Sequence, residues 1–125
     1  MRLDLKALRS FATRALAACE AESSAKPLPA QIEVTLLSDA AITKVHRDFM
    51  GIDGPTDVLT FEHGELLIGV PTARRYAAEY GCPLDEELAR YIVHGLLHLR
   101  GWRDAVPKER AAMHRRQESI LRTTF

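Results

Sequence analysis

The sequence predicts an α+β fold, a small mixed sheet of about three strands covered by helices, with one buried central helix. Three observations lead there. Ile32-Glu33-Val34-Thr35-Leu36-Leu37 alternates and is rich in β-branched residues, as a half-buried strand is. Thr56 to Phe61 and Glu65 to Ile68 have strand composition and flank a short turn at Glu62-His63-Gly64, so they should pair as a hairpin. From Tyr91 to Leu99 nearly every other position is apolar, and a helix apolar all round is buried by its neighbours.

The remaining elements follow from local signals. Leu5, Leu8, Ala12, Ala15, Leu16 and Cys19 form the inner stripe of a first helix. Glu22 to Pro29 then reads as a loop, because Pro27 and Pro29 forbid helix continuation. Ser38 caps a second helix whose inner side is expected at Ala41, Ile42, Val45 and Phe49, with Gly51 ending it. Pro71 suits a first helical position, and Gly81 closes that helix after Tyr80. Pro83 followed by Asp85, Glu86 and Glu87 starts the central helix with negative charge where the helix dipole prefers it. A last helix begins near Pro107 and carries Ala111, Ala112, Met113, Ile120 and Leu121.

Composition bounds the rest. At 125 residues the chain suffices for one core but not two, so one domain over 1–125 is expected. No run approaches the roughly 18 apolar residues of a membrane span, and the first residues lack the pattern of a secretory signal. A cytoplasmic protein without a membrane partner is the expectation, and Cys19 and Cys82 should remain reduced thiols. Lys plus Arg and Asp plus Glu are equal at 17 each, so any surface for a polyanion must come from local segregation of charge.

The chemistry concentrates in the central helix. His94 and His98 are four residues apart and therefore share a face, and a buried imidazole pair without partners would carry desolvation costs with no return. Gly101 stops the helix, so Asp104 can return over its last turn toward both rings. Two nitrogens and one oxygen suit Zn²⁺ or another first-row divalent ion, and three protein ligands leave a fourth position for water, the arrangement of a catalytic rather than structural site. Hydrolysis is the implied chemistry. A zinc peptidase of the H-E-x-x-H class shares the two-histidine spacing, but Gly95 stands where its general-base glutamate belongs.

Two motifs then converge on one family. His94-Gly95-Leu96-Leu97-His98-Leu99-Arg100-Gly101-Trp102 closely resembles the H-G-x-L-H-L-x-G-aromatic-D-H signature of the YbeY family of bacterial rRNA-maturation endoribonucleases. Gly51 to Phe61 is similar to that family's R-G-K-D-x-x-T-[DN]-V-L-S-F segment, and Gly64 to Ile68 to the strand after it. Order and spacing agree over roughly residues 31 to 121. The resemblance implies a metal-dependent, single-strand-specific endoribonuclease of ribosomal RNA maturation and ribosome quality control, with single-stranded RNA, ribosomal RNA and the ribosome as partners, and zinc held by His94, His98 and Asp104.

The chain also departs from the pattern. The family's third histidine falls on Asp104 and the aspartate before it on Arg103, which could instead draw Asp104 into an ion pair. Met50 stands where the family carries an arginine thought to contact the substrate phosphate, and Arg47, one turn earlier, is the candidate substitute, so the catalytic set is His94, His98 and Arg47. The loop from Phe61 to Gly64 is short for the family, and a strand ahead of the first helix is missing or reduced. These departures also admit a non-catalytic RNA- or ribosome-binding homologue. Lys44 and Arg47 on the second helix and Lys108, Arg110, Arg115, Arg116 and Arg122 on the last are the candidate backbone-binding cations. His63 and Trp102 are candidates for stacking on bases, Trp102 more readily for core packing, whereas His46 and His114 read as exposed helix positions.

Overall fold

The computed structural model describes residues 4–21 and 26–125, and the first part of the expected Glu22 to Pro29 loop, Glu22 to Ala25, lies outside them. Asp4 caps the first helix, α1 (Leu5–Glu20), by accepting from the Ala7 amide at 3.0 Å. Strand β1 (Glu33–Leu37) follows. Ser38 Oγ then accepts from the Ala41 amide at 3.2 Å to start α2 (Asp39–Met50), which Gly51 ends in the left-handed conformation at φ 68°. Strands β2 (Val58–Phe61) and β3 (Glu65–Gly69) form the expected hairpin. Three helices complete the chain, α3 (Val70–Tyr80), α4 (Leu84–Leu99) and α5 (Pro107–Thr124).

The sheet order is β1-β3-β2, with β1 parallel and β2 antiparallel to the central strand β3. Five helices and a mixed three-stranded sheet among the described residues make this an α+β fold. The β2–β3 turn closes on Gly64, whose φ of 113° excludes most other residues. β2 is an edge strand, and α4 lies against it and against β3.

α4 is the centre of the core. Leu88, Ala89, Ile92, Val93, Leu96 and Leu97 are buried on several sides, packed under α1, α3, α5 and the sheet. Gly95 sets how closely α4 approaches the sheet. A Cβ there would stand 2.6 Å from Leu66 Cδ2 of β3, and Leu66 is itself fully buried. Gly95→Ala would gain about 1 kcal/mol of helix propensity against an overpacking cost of about 1–3 kcal/mol. A net loss of about 1 kcal/mol is therefore expected, read as a lower midpoint in denaturant unfolding, and a midpoint at or above wild type would show that Leu66 gives way.

The helix stripes differ from expectation at their ends. Ile42 is buried and Val45 half-buried on α2, but Ala41 and Phe49 are exposed, because the cluster with Leu59 and Leu67 of the sheet takes in Ile42 and Val45 and not those two. Phe49 instead meets the Phe61 ring edge-on at 5.5 Å. Leu5 on α1 and Ala111 on α5 are likewise exposed, whereas Phe11 is buried. His46 is half-buried and its Nδ1 bonds the Gly54 carbonyl oxygen at 3.0 Å, tying α2 to the loop after it, while His114 is exposed as expected.

Candidate metal centre

Two backbone features bring three side chains together. One face of α4 carries His94 and His98, with their rings in edge contact at 4.6 Å. Gly101, at φ 99°, then reverses the chain and returns Asp104 to that face. His94 Nε2 and His98 Nε2 are 3.1 Å apart, and Asp104 Oδ2 is 3.6 Å from the first and 3.3 Å from the second. Tetrahedral ligands about 2.0–2.1 Å from a zinc ion lie about 3.4 Å from one another. The donor triangle has that size, so these residues fit a divalent ion, and all three side chains are partly accessible.

Hydrogen bonds aim the rings. His98 Nδ1 lies 3.1 Å from the Trp102 carbonyl oxygen. A carbonyl only accepts, so Nδ1 carries a proton and Nε2 is the nitrogen turned toward His94 and Asp104. His94 Nδ1 lies 2.7 Å from Gln117 Oε1 on α5. Burial, more than any other influence, holds the His94 imidazole below its ordinary value of 6.5, which keeps it in the neutral form that binds metals. The Asp104 backbone is fixed in turn, its carbonyl accepting from Arg110 Nε at 3.2 Å. The partners of the Asp104 carboxylate among the described residues are the two histidines, not Arg103.

The triad opens onto a groove of about 770 Å³ along β2, lined also by Lys26, Met50, Asp57, Phe61, Trp102 and Arg103. The comparison with protein-family models matches the YbeY endoribonuclease model over residues 1–124.

The chain belongs to the YbeY family. The Moorella thermoacetica endoribonuclease YbeY is 40% identical over 111 residues, covering 74% of this chain and 71% of that protein. The Brevibacillus brevis endoribonuclease YbeY is 32% identical over 126 residues, 82% of this chain and 79% of that one. Among solved structures, the solution structure of TM1509 from Thermotoga maritima matches with a TM-score of 0.67 at 26% identity, covering 94% of this chain and 78% of that chain. The YbeY fold is thus common to both, and no described helix here is long and apolar enough to cross a membrane.

Against this YbeY frame, the structure sorts the sequence-predicted residues. His94, His98 and Asp104 converge, and Met50 does line the groove. Arg47 does not line it; its Nη1 is 3.7 Å from Asp53 Oδ1 on an exposed stretch. His63 stands beside Glu65, while its ring lies 5.9 Å from that of Phe61. Trp102 packs against the core, as its size favours, and also borders the groove. Sequence reasoning missed Gln117 and Lys26. A signal for Gln117 was present, since it is a lone polar residue in the stripe Met113, Gln117, Ile120, Leu121, and a buried amide needs partners.

Proposed function

We propose that this chain is a metal-dependent, single-strand-specific endoribonuclease acting in ribosomal RNA maturation and ribosome quality control, as one cytoplasmic hydrolase domain over residues 1–125. The observation that carries the reading is the triangle of His94 Nε2, His98 Nε2 and Asp104 Oδ2 at 3.1–3.6 Å, open to a groove inside an endoribonuclease family. His94, His98 and Asp104 would hold the ion, with the nitrogen and oxygen donors favouring Zn²⁺. Bound there, such an ion supplies Lewis acidity that activates water for attack on a phosphodiester.

The chain's own residues supply positioning and charge. Lys26, which pairs with Glu62 at 2.9 Å, and Arg103 line the groove and offer positive charge to a phosphate backbone, whereas Arg47 lies outside the lining beside Asp53. Asp57 also lines the groove and is the acid best placed as general base; its Oδ1 accepts from the Val58 amide at 2.7 Å, which fixes the carboxylate. Glu65 faces His63 and is not part of the lining. Phe61, with Phe49 and His63 beside it, offers ring surface for unpaired bases.

Purified protein should cleave a single-stranded RNA and lose that cleavage in excess chelator, with recovery on added Zn²⁺. Cleavage indifferent to chelator would overturn the reading. Met50 in the groove favours a second reading, a homologue that binds RNA without efficient cleavage. It predicts RNA association that survives chelator, with no cleavage under any metal.

A further inference from the structure

We propose that Gln117 is a positioning residue whose side-chain carbonyl holds His94 with its proton on Nδ1, leaving Nε2 bare toward His98 and Asp104. The inference rests on the metal-centre reading for its consequence, but its geometry stands alone. Gln117 is 6% exposed, on the inner face of α5. Its amide can face His94 in two ways, as acceptor or as donor, and only one of these is compatible with its other neighbour.

That neighbour is Glu118. Gln117 Nε2 lies 3.0 Å from Glu118 Oε2. The same carboxylate receives Arg90 Nε at 2.9 Å and Arg90 Nη2 at 3.2 Å, a two-pronged guanidinium contact that keeps it ionised. An ionised carboxylate only accepts, so the Gln117 amide nitrogen must donate to it. The amide carbonyl therefore faces His94, and at 2.7 Å it requires a proton on His94 Nδ1. Turning the amide over would set carbonyl against carboxylate and lose the bond to Glu118.

The direction of control runs from α4 out to α5 and back again. Arg90 lies one turn before His94 on α4, and through Glu118 and Gln117 it fixes which nitrogen of that histidine is bare. For His98 the Trp102 backbone carbonyl does the same work, so substitution can alter the partner of one ring and not of the other.

The test compares wild type with Gln117→Leu and Gln117→Glu by Zn²⁺ competition titration and by imidazole ¹⁵N NMR of the metal-free proteins. Wild-type His94 is expected to show a protonated Nδ1 and a bare Nε2. Gln117→Leu should lose that signature and bind Zn²⁺ about 10–100-fold more weakly, the usual effect of removing such a partner. Gln117→Glu keeps an acceptor for His94 and should retain the Nδ1 signature, at a cost in stability because its second oxygen meets the Glu118 carboxylate. A wild-type His94 protonated on Nε2, or Gln117→Leu binding as tightly as wild type, would overturn the proposal. Nδ1 protonation that depends on Gln117 in a wild-type protein binding no Zn²⁺ would support the positioning role while removing the metal centre alone.

Discussion

Replacing His94 or His98 with alanine is expected to abolish stoichiometric metal binding and to slow RNA cleavage about a thousandfold or more, since a bound ion contributes several kcal/mol to such a reaction and each 1.36 kcal/mol is tenfold in rate. Either change leaves only two donors of the triangle, too few for the open three-ligand site. The fold should survive, because both histidines sit at the groove rather than in the deepest core, with side chains 29% and 26% exposed. Elemental analysis and single-turnover cleavage check the expectation together. A variant that keeps one metal equivalent and cleaves within tenfold of wild type would place the chemistry elsewhere.

The largest effect on stability is expected at Arg90. Its guanidinium binds Glu118 through two nitrogens, Glu86 at 3.4 Å and Glu87, which is only 4% exposed. Arg90→Met keeps much of the apolar stem and strands Glu87 as a buried charge. A loss of about 3 kcal/mol is expected, the low end for breaking a buried pair, because Glu86 and Glu118 retain access to water.

The pH dependence has a definite sign. The hydrogen bonds from Arg90 and Gln117 outweigh burial and hold the Glu118 carboxyl below its ordinary 4.5. A depressed carboxyl contributes stability that is present above 4.5 and lost as pH falls through its lower folded value. The gap between wild type and Arg90→Met should thus be full at pH 7 and narrow below 4.5, as denaturant unfolding at several pH values would show. An equal gap at all pH values would mean that the loss comes from packing alone. The variant should also bind Zn²⁺ more weakly, because Gln117 loses the fixed carboxylate that orients it.

Much of this architecture was legible along the chain because its signals are local. Ser38, Gly51, Gly81 and Gly101 stop or start helices through their own backbone preferences, and the structure places each boundary at or beside them. The i, i+4 histidines needed only helix geometry to share a face, and Asp104 only the reversal at Gly101 to return to it. What was not legible depends on distant neighbours. Nothing in β1 or β3 announces that they pair in parallel with β3 central. Phe49 continues the apolar period of α2, yet the cluster on the sheet takes in Ile42 and Val45 and leaves it exposed. Gln117 reaches His94 across 23 positions, a contact that α5 makes only after docking.

Gly95 bears on chemistry as well as packing. A two-histidine helix of this kind is one residue short of H-E-x-x-H, the zinc-peptidase helix. Here the first carbon of any side chain at 95 meets the Cδ atoms of the buried Leu66, so a glutamate there requires Leu66 to give way first. The obstacle to that exchange on this scaffold is therefore steric, set by a strand residue outside the triad.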